Sequence, residues 1–291
     1  MSVEEYRTAG KIARDALEYG RSLIKKNAKL VDVCDKIEEN IHKLGGQLAF
    51  PVQISCNEIA AHFCPLDDDQ TIFSDQLVNL DVGVHVNGCV GDNACCVDLS
   101  GKHTEFVKAA EDALRAASEI VRIGVPVWKI GKAIDETISN YGLHPVRNLS
   151  GHGLGQFNIH DSPTIPNYDN NDKTTLQKGM AIAIEPFATD GNGFVGERGT
   201  STLFSLTGKK SVRIEFVRNI QKEIESYQGL PFTTRWLNNK FSAEKTAFAL
   251  KQFGHLGIIH EYPPLVERTN AWVSQAEHSF YIDDEIICLT K

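Results

Sequence analysis

The chain has 291 residues, 42% of them hydrophobic, which is ample for one large core or two ordinary ones. A net charge of −8 and a pI near 5.7 argue against a nucleic-acid backbone or an anionic membrane as the main partner. No run of 18 apolar residues reads as a membrane span, and seven scattered cysteines without CxxC spacing suit reduced thiols in a cytosolic protein.

From the start, MSVEEYRTAGKIARDALEYG reads as an amphipathic helix with acids in its first turn, unlike a secretory signal. A shift of 97 positions overlays Ala13–Leu17 on Ala110–Leu114 and Ile37–Gly45 on Ile134–Gly142 without a gap. Each second block is helical in period and ends at a glycine suited to a C-cap. Strand regions follow at Leu48–Ser55 and Pro145–Ser150. The expectation is a duplicated helix-helix-strand unit: two pseudo-twofold halves whose helices cover a curved antiparallel sheet, with a cleft between them.

Leu80–Asp92 alternates apolar residues about Asn87-Gly88, a dipeptide suited to the positive φ angles of a two-residue hairpin. Folded there, Val86 faces Cys89 and Gly83 faces Asp92. Asp81 and Asp92 become diagonal neighbours on one face, roughly 7 Å apart. Gly83 offers no side chain between them. Two acids converging in an apolar hairpin repel unless a cation or proton lies between; the alternative is that one of them caps the hairpin or faces water.

Asn148–Gly155 is a glycine-rich loop lacking the lysine of a phosphate cradle; it leaves His152 accessible to a ligand, and His160 follows. Met180–Phe187 reads as a buried strand ending in Glu185, and Ala271–Ile282 as a strand-like run holding Glu277. Residues 214–226 and 243–254 read as helices, and 256–266 as an extended segment closed by Pro263-Pro264. Singly, each acid could be met by an arginine or a backbone amide. Together, Asp81, Asp92, His152, Glu185 and Glu277 are hard oxygen donors with one nitrogen, suited to paired Mn, Fe, Co or Zn ions.

These residues, in this order, resemble the methionine aminopeptidases, within the pita-bread (creatinase/aminopeptidase) metallohydrolases, and look most like the archaeal type II branch. The matching motifs include Ala49-Phe50-Pro51, Asn57–His62, Leu80–His85, Asn148–His152, Ile159-His160, Ile184–Phe187 and Gln275–His278. The resemblance implies an α+β pita-bread fold, with 1–195 and 265–291 as the catalytic domain and 196–264 as a helical insert subdomain. It implies two divalent ions held by Asp81, Asp92, His152, Glu185 and Glu277, with Glu185 also handling the proton of a metal-bridged hydroxide. His62 and His160 would contact the scissile peptide. Phe50, Ile159, Phe187 and Tyr262 would line a methionine pocket; read without the family, these four are ordinary core residues. The implied activity is removal of the initiator methionine from nascent proteins with a small second residue. Charge and cysteine usage point to the cytoplasm with no nucleic-acid or membrane partner, and the absence of coiled-coil heptads favours a monomer.

Two alternatives remain. An Xaa-Pro peptidase of this fold uses the same ligands but normally carries an extra N-terminal domain. A non-catalytic pita-bread binding protein would normally lack several ligands. The chain also departs from the family pattern. Asp161-Ser162 stands where Ala-Gly is usual, and Asn93 follows Asp92 where threonine is common.

Overall fold

The computed structural model describes residues 2–291. Helix α1 (Val3–Leu23) opens with a capping box, Ser2 Oγ accepting from Glu5 N while Ser2 N donates to the Glu5 carboxylate. Reciprocal caps of this kind stabilise a helix start by about 1 kcal/mol. Then come α2 (Leu30–Lys43), α3 (Thr104–Ile120) and α4 (Val127–Asn140). The shift of 97 carries α2 onto α4 end for end. It also carries the short strand Gln47–Leu48 onto His144–Pro145 and the start of Gln53–Cys56 onto that of Ser150–Gly155. Gly45 and Gly142 both take positive φ (86° and 71°) at the equivalent helix ends.

All strand pairs in ladders are antiparallel. The long hairpin Leu77–Val86/Cys89–Asp98 pairs in the register read from the sequence, Val86 with Cys89 and Gly83 with Asp92, about a turn with φ of 51° at Asn87 and 86° at Gly88. Its neighbour on one side is Gln53–Cys56. On the other half, Ile287–Cys288, His278–Tyr281, Ala181–Ile184, Ser150–Gly155 and Asn158–Pro166 form a five-stranded sheet in that order. Leu17, Ile37, Ile41, Leu80 and Val84 belong to one buried core under α1 and α2; Leu114, Ile130, Ile134, Ile182 and Phe280 belong to another under α3 and α4. A third, smaller cluster, with Phe50, Val90, Leu154 and Ala183, draws on both halves.

Three of the expected continuous strands are interrupted. Pro51 separates Gln47–Leu48 from Gln53–Cys56. Met180–Phe187 breaks at Glu185-Pro186, and Ala271–Ile282 breaks at Ala276-Glu277. The last two breaks face each other, because Ile184 pairs with His278 and Phe187 with Gln275. Both strands therefore leave one sheet and enter another at the same level.

Between Val195–Glu197 and Leu265–Glu267, which pair with each other, the chain folds α5 (Glu215–Glu225), α6 (Thr234–Asn238) and α7 (Ala243–Leu256). These pack on strands Leu203–Leu206, Phe232–Thr233 and Ile259–Tyr262 around a core of Val217, Ile220, Phe232, Leu237 and Phe253. The segment read as one extended stretch over 256–266 is two strands in two sheets, separated by Pro263-Pro264. Helix α6 was not legible in the sequence. It delivers Arg235, 3% exposed, to Glu38 and Asp35 of α2: Arg235 Nη2 donates to Glu38 Oε1 (2.7 Å), and a second contact reaches Asp35. Among the described residues no helix is long and apolar enough to cross a membrane.

Candidate metal centre

The hairpin places Asp81 and Asp92 on one face by strand alternation, and the aligned breaks deliver Glu185 and Glu277 to the same space. A residue in a regular ladder points to one face and its backbone is committed to pairing. At each break the carboxylate-bearing residue is released from the ladder and can turn inward. Glu277 N donates instead to Ala94 O (3.0 Å), tying it to the hairpin beside Asp92.

His152 arrives by a different route from the one its sequence context suggested. The glycine-rich stretch is strand, not loop, with His152 opposite Ala183. Its glycines serve backbone approach: a Cβ on Gly151 would lie 2.3 Å from Ala183 O, and one on Gly153 would lie 2.1 Å from Ser162 O. The imidazole is largely buried rather than accessible, with 12% of its side chain exposed. Gly83 also acts differently from expectation. The space beside it is filled, since a Cβ there would strike the Phe50 ring at 2.1 Å. The missing side chain thus admits an aromatic ring against the carboxylate pair.

The charge arithmetic of this centre does not close by itself. Asp92 is 3% and Glu277 2% exposed. Burial, with repulsion from Asp81, pushes the Asp92 carboxyl well above the usual range. Glu185 rises through burial and the charges of Asp81 and Asp92, and Glu277 through burial and its three acidic neighbours. Burial raises Asp81 to about 7, partly offset by a hydrogen bond from Gln275. Yet Asp81 Oδ1 and Asp92 Oδ1 have no hydrogen-bond partner.

His152 does not neutralise them. Its Nε2 lies 3.6 Å from Glu185 Oε1 and 4.0 Å from Asp92 Oδ2, distances fit for ion pairs, but burial first and His160 second lower its pKa to about 3. A neutral ring with Nδ1–H toward Gly153 O (3.3 Å) turns the Nε2 lone pair toward carboxylate oxygens. Acceptors facing acceptors at such spacings repel, unless a proton, or a cation about 2.0–2.2 Å from each ligand atom, lies between them. One ligand atom from each of Asp92, His152 and Glu277 can be drawn with all three within 4.8 Å of one another. The donor set and its orphaned oxygens fit a divalent cation.

All eleven residues singled out from the sequence line one cavity of about 310 Å³: Asp81, Asp92, His152, Glu185 and Glu277, with His62 and His160, and with Phe50, Ile159, Phe187 and Tyr262. His62 follows strand Ile59–Ala61 with φ of 65°, a left-handed conformation costly for a side chain of its size. It is held there by Gln53 Oε1, which accepts from His62 N at 2.8 Å. Burial lowers the His62 pKa to about 4, and its Nδ1 has no partner. His160 stands edge-on to His152 at 4.8 Å between centroids, and Tyr262 edge-on to His62 at 5.7 Å.

Sequence reasoning passed over Gln275, 1% exposed, whose amide donates to Glu185 Oε2 at 3.3 Å. It also passed over Asn79, which accepts from Gln275 N (3.1 Å) and donates to Val273 O. Both amides sit inside apolar strands, a signal that could have exposed them. The two departures from the family pattern fall differently. Asp161 lines the cavity, whereas Asn93 is fully buried with both amide atoms unpartnered.

Comparison with known proteins agrees with this chemistry. Residues 4–218 match the model of metallopeptidase family M24. A methionine aminopeptidase of Archaeoglobus fulgidus is 43% identical over 278 residues, covering 95% of this chain and 94% of that protein. The methionine aminopeptidase of Thermotoga maritima superposes with a TM-score of 0.72 at 22% identity, covering 100% of this chain and 98% of that one. A thermophilic Arx1 reaches 0.83 at 16%, covering 99% of this chain and 91% of that one, and shows the fold alone. The prolidase of Pyrococcus furiosus reaches 0.61 at 19%; 99% of this chain aligns with only 63% of that protein.

Proposed function

The chain belongs to metallopeptidase family M24, and from that premise we propose that it removes the N-terminal methionine from polypeptides whose second residue is small. The observation that carries the reading is the convergence of four buried carboxylates on one neutral imidazole, with Asp81 Oδ1 and Asp92 Oδ1 left without a hydrogen-bond partner. Asp81, Asp92, His152, Glu185 and Glu277 would hold two divalent ions, Mn, Fe, Co or Zn. Bound there, the ions would lower the pKa of a water and polarise the scissile carbonyl.

The chain's own residues supply the rest. Glu185 takes the proton of the attacking water and returns it to the leaving amine. His160 and His62 hydrogen-bond the scissile peptide, His62 through a ring nitrogen that the fold leaves without a partner. Phe50, Ile159, Phe187 and Tyr262 hold the unbranched thioether among apolar and aromatic faces. Residues 196–264 act as an insert that roofs one side, through Leu203, Pro231 and Tyr262. Seven unpaired cysteines support a reducing compartment such as the cytoplasm.

An Xaa-Pro activity is the weaker reading, since the relative 43% identical over 95% of this chain is a methionine aminopeptidase, whereas the prolidase matches at 19% identity. The test is cleavage of Met-Ala-Ser and of Xaa-Pro dipeptides after chelation and stepwise metal return. Met-Ala-Ser hydrolysis should vanish with chelation and return as two equivalents are added, with Xaa-Pro substrates left intact. Cleavage of Xaa-Pro alone would overturn the assignment.

A further inference from the structure

A second cavity, about 750 Å³, lies between α2, the strand Gln47–Leu48 and the end of α5 with α6. Three separate chain segments run from this groove into the catalytic cavity. Leu48 lines the groove and Phe50 the cavity; Phe157 lines the groove and Ile159 the cavity; Leu230 lines the groove and Pro231 lines both. Two residues of extended chain span about 7 Å, so the two spaces adjoin along a shared rim.

We propose that this groove binds the part of the substrate polypeptide downstream of its second residue and favours basic side chains there. The inference rests on the peptidase reading and adds to it a preference among substrates. A methionine seated in the smaller cavity sends its chain outward at about 3.3–3.6 Å per residue, so the third residue onward reaches the rim.

The groove's charge then decides what it prefers. Its wall carries five carboxylates against Arg235 and Lys240. Arg235 is engaged by Glu38 and Asp35, and Lys240 by Glu223. Glu39 and Asp67 are the surplus. Glu39 has only an exposed contact with Lys43 at 3.3 Å, and Asp67 accepts from the neutral amide of Asn238. Burial lowers the pKa of His85, so that ring adds no positive charge at neutral pH. Phe157, Tyr227 and Trp236 give aromatic faces on which the stem and head of a lysine or arginine can rest. Asp161, at the catalytic cavity, continues the same sign along the hairpin that carries Phe157.

The experiment compares Met-Ala-Ser, Met-Ala-Ser-Lys-Lys-Lys and Met-Ala-Ser-Glu-Glu-Glu as substrates of the metal-loaded enzyme. The lysine peptide should show a KM about three- to tenfold below that of the glutamate peptide, with kcat unchanged. The gap should close in 0.5 M salt, where screening is near-complete. In a Glu39→Gln/Asp67→Asn double variant the preference should fall by about half or more while Met-Ala-Ser turnover stays as before. Equal KM values, or a preference that survives in the variant, would overturn the groove. If Met-Ala-Ser itself is not cut, the peptidase reading has failed and takes the groove with it; cleavage without charge preference removes the groove alone.

Discussion

Two buried charged clusters in this molecule are built on opposite principles. In the latch between α2 and α6, both oxygens of Glu38 are met: Oε1 accepts from Val52 N (3.2 Å) and Arg235 Nη2 (2.7 Å), and Oε2 from Trp236 Nε1 (2.9 Å) and Arg235 Nη1 (3.1 Å). Among the charged groups of the latch, Arg235 Nε lacks a partner. In the metal centre, four acids share the amide of Gln275 and a neutral imidazole, and two aspartate oxygens are orphaned. The first cluster resolves its own electrostatics; the second needs something from outside the chain. Several acidic side chains gathered in one cavity without a basic partner, more than burial itself, distinguish the metal centre from the latch.

The contrast can be broken by substitution, beginning with the largest effect. Glu185→Gln keeps the shape and removes the proton acceptor, so turnover of Met-Ala-Ser should fall by about 10³-fold or more with the circular dichroism spectrum unchanged. Near-normal turnover would remove Glu185 from proton transfer. Glu38→Ala should act on stability instead, costing about 3 kcal/mol in urea unfolding by leaving the buried Arg235 with only the half-exposed Asp35. An apolar pair, Glu38→Leu with Arg235→Met, should recover much of that loss; if it does not, the latch supplies more than charge compensation.

His160→Ala should lower kcat about 10²-fold while leaving metal stoichiometry intact, as read by elemental analysis. Lost metal would make His160 a ligand. The smallest effect is a pH slope. The His62 pKa is lowered to about 4 by burial, with His160 adding to the shift, against about 6.5 when unfolded. Below 6.5 the unfolded chain takes up the proton first, so this stability is present above 6.5 and is lost as pH falls toward 4. Wild type should therefore lose about 2 kcal/mol more than His62→Asn between pH 7 and pH 5. Parallel slopes would show that the ring is solvated.

The hairpin and the duplication were legible because each rests on local rules. Asn87-Gly88 fixes a register, and helix periods repeat at constant spacing. The ligand set was named in the sequence through family resemblance, and the structure gathers those residues into one cavity. What the sequence concealed depends on distant pairing. Pro186 marks one strand break, but nothing at Ala276-Glu277 announces the other until Phe187 is set against Gln275. Gly83 gave away an absent side chain without revealing that Phe50 would fill the space. The latch was invisible for the same reason, since Arg235 and Glu38 lie 197 positions apart.

The two halves of the fold repeat one plan, and the proposed ligands are divided between them. The shift of 97 sets Ser55 on His152; Ser55 pairs with Asn79 and His152 with Ala183, so two residues further on Asp81 falls on Glu185. His152 itself stands on Ser55. The doubling supplies an acid from each half, and the cavity forms only where the halves meet. A lone half would inherit the scaffold and none of the catalysis.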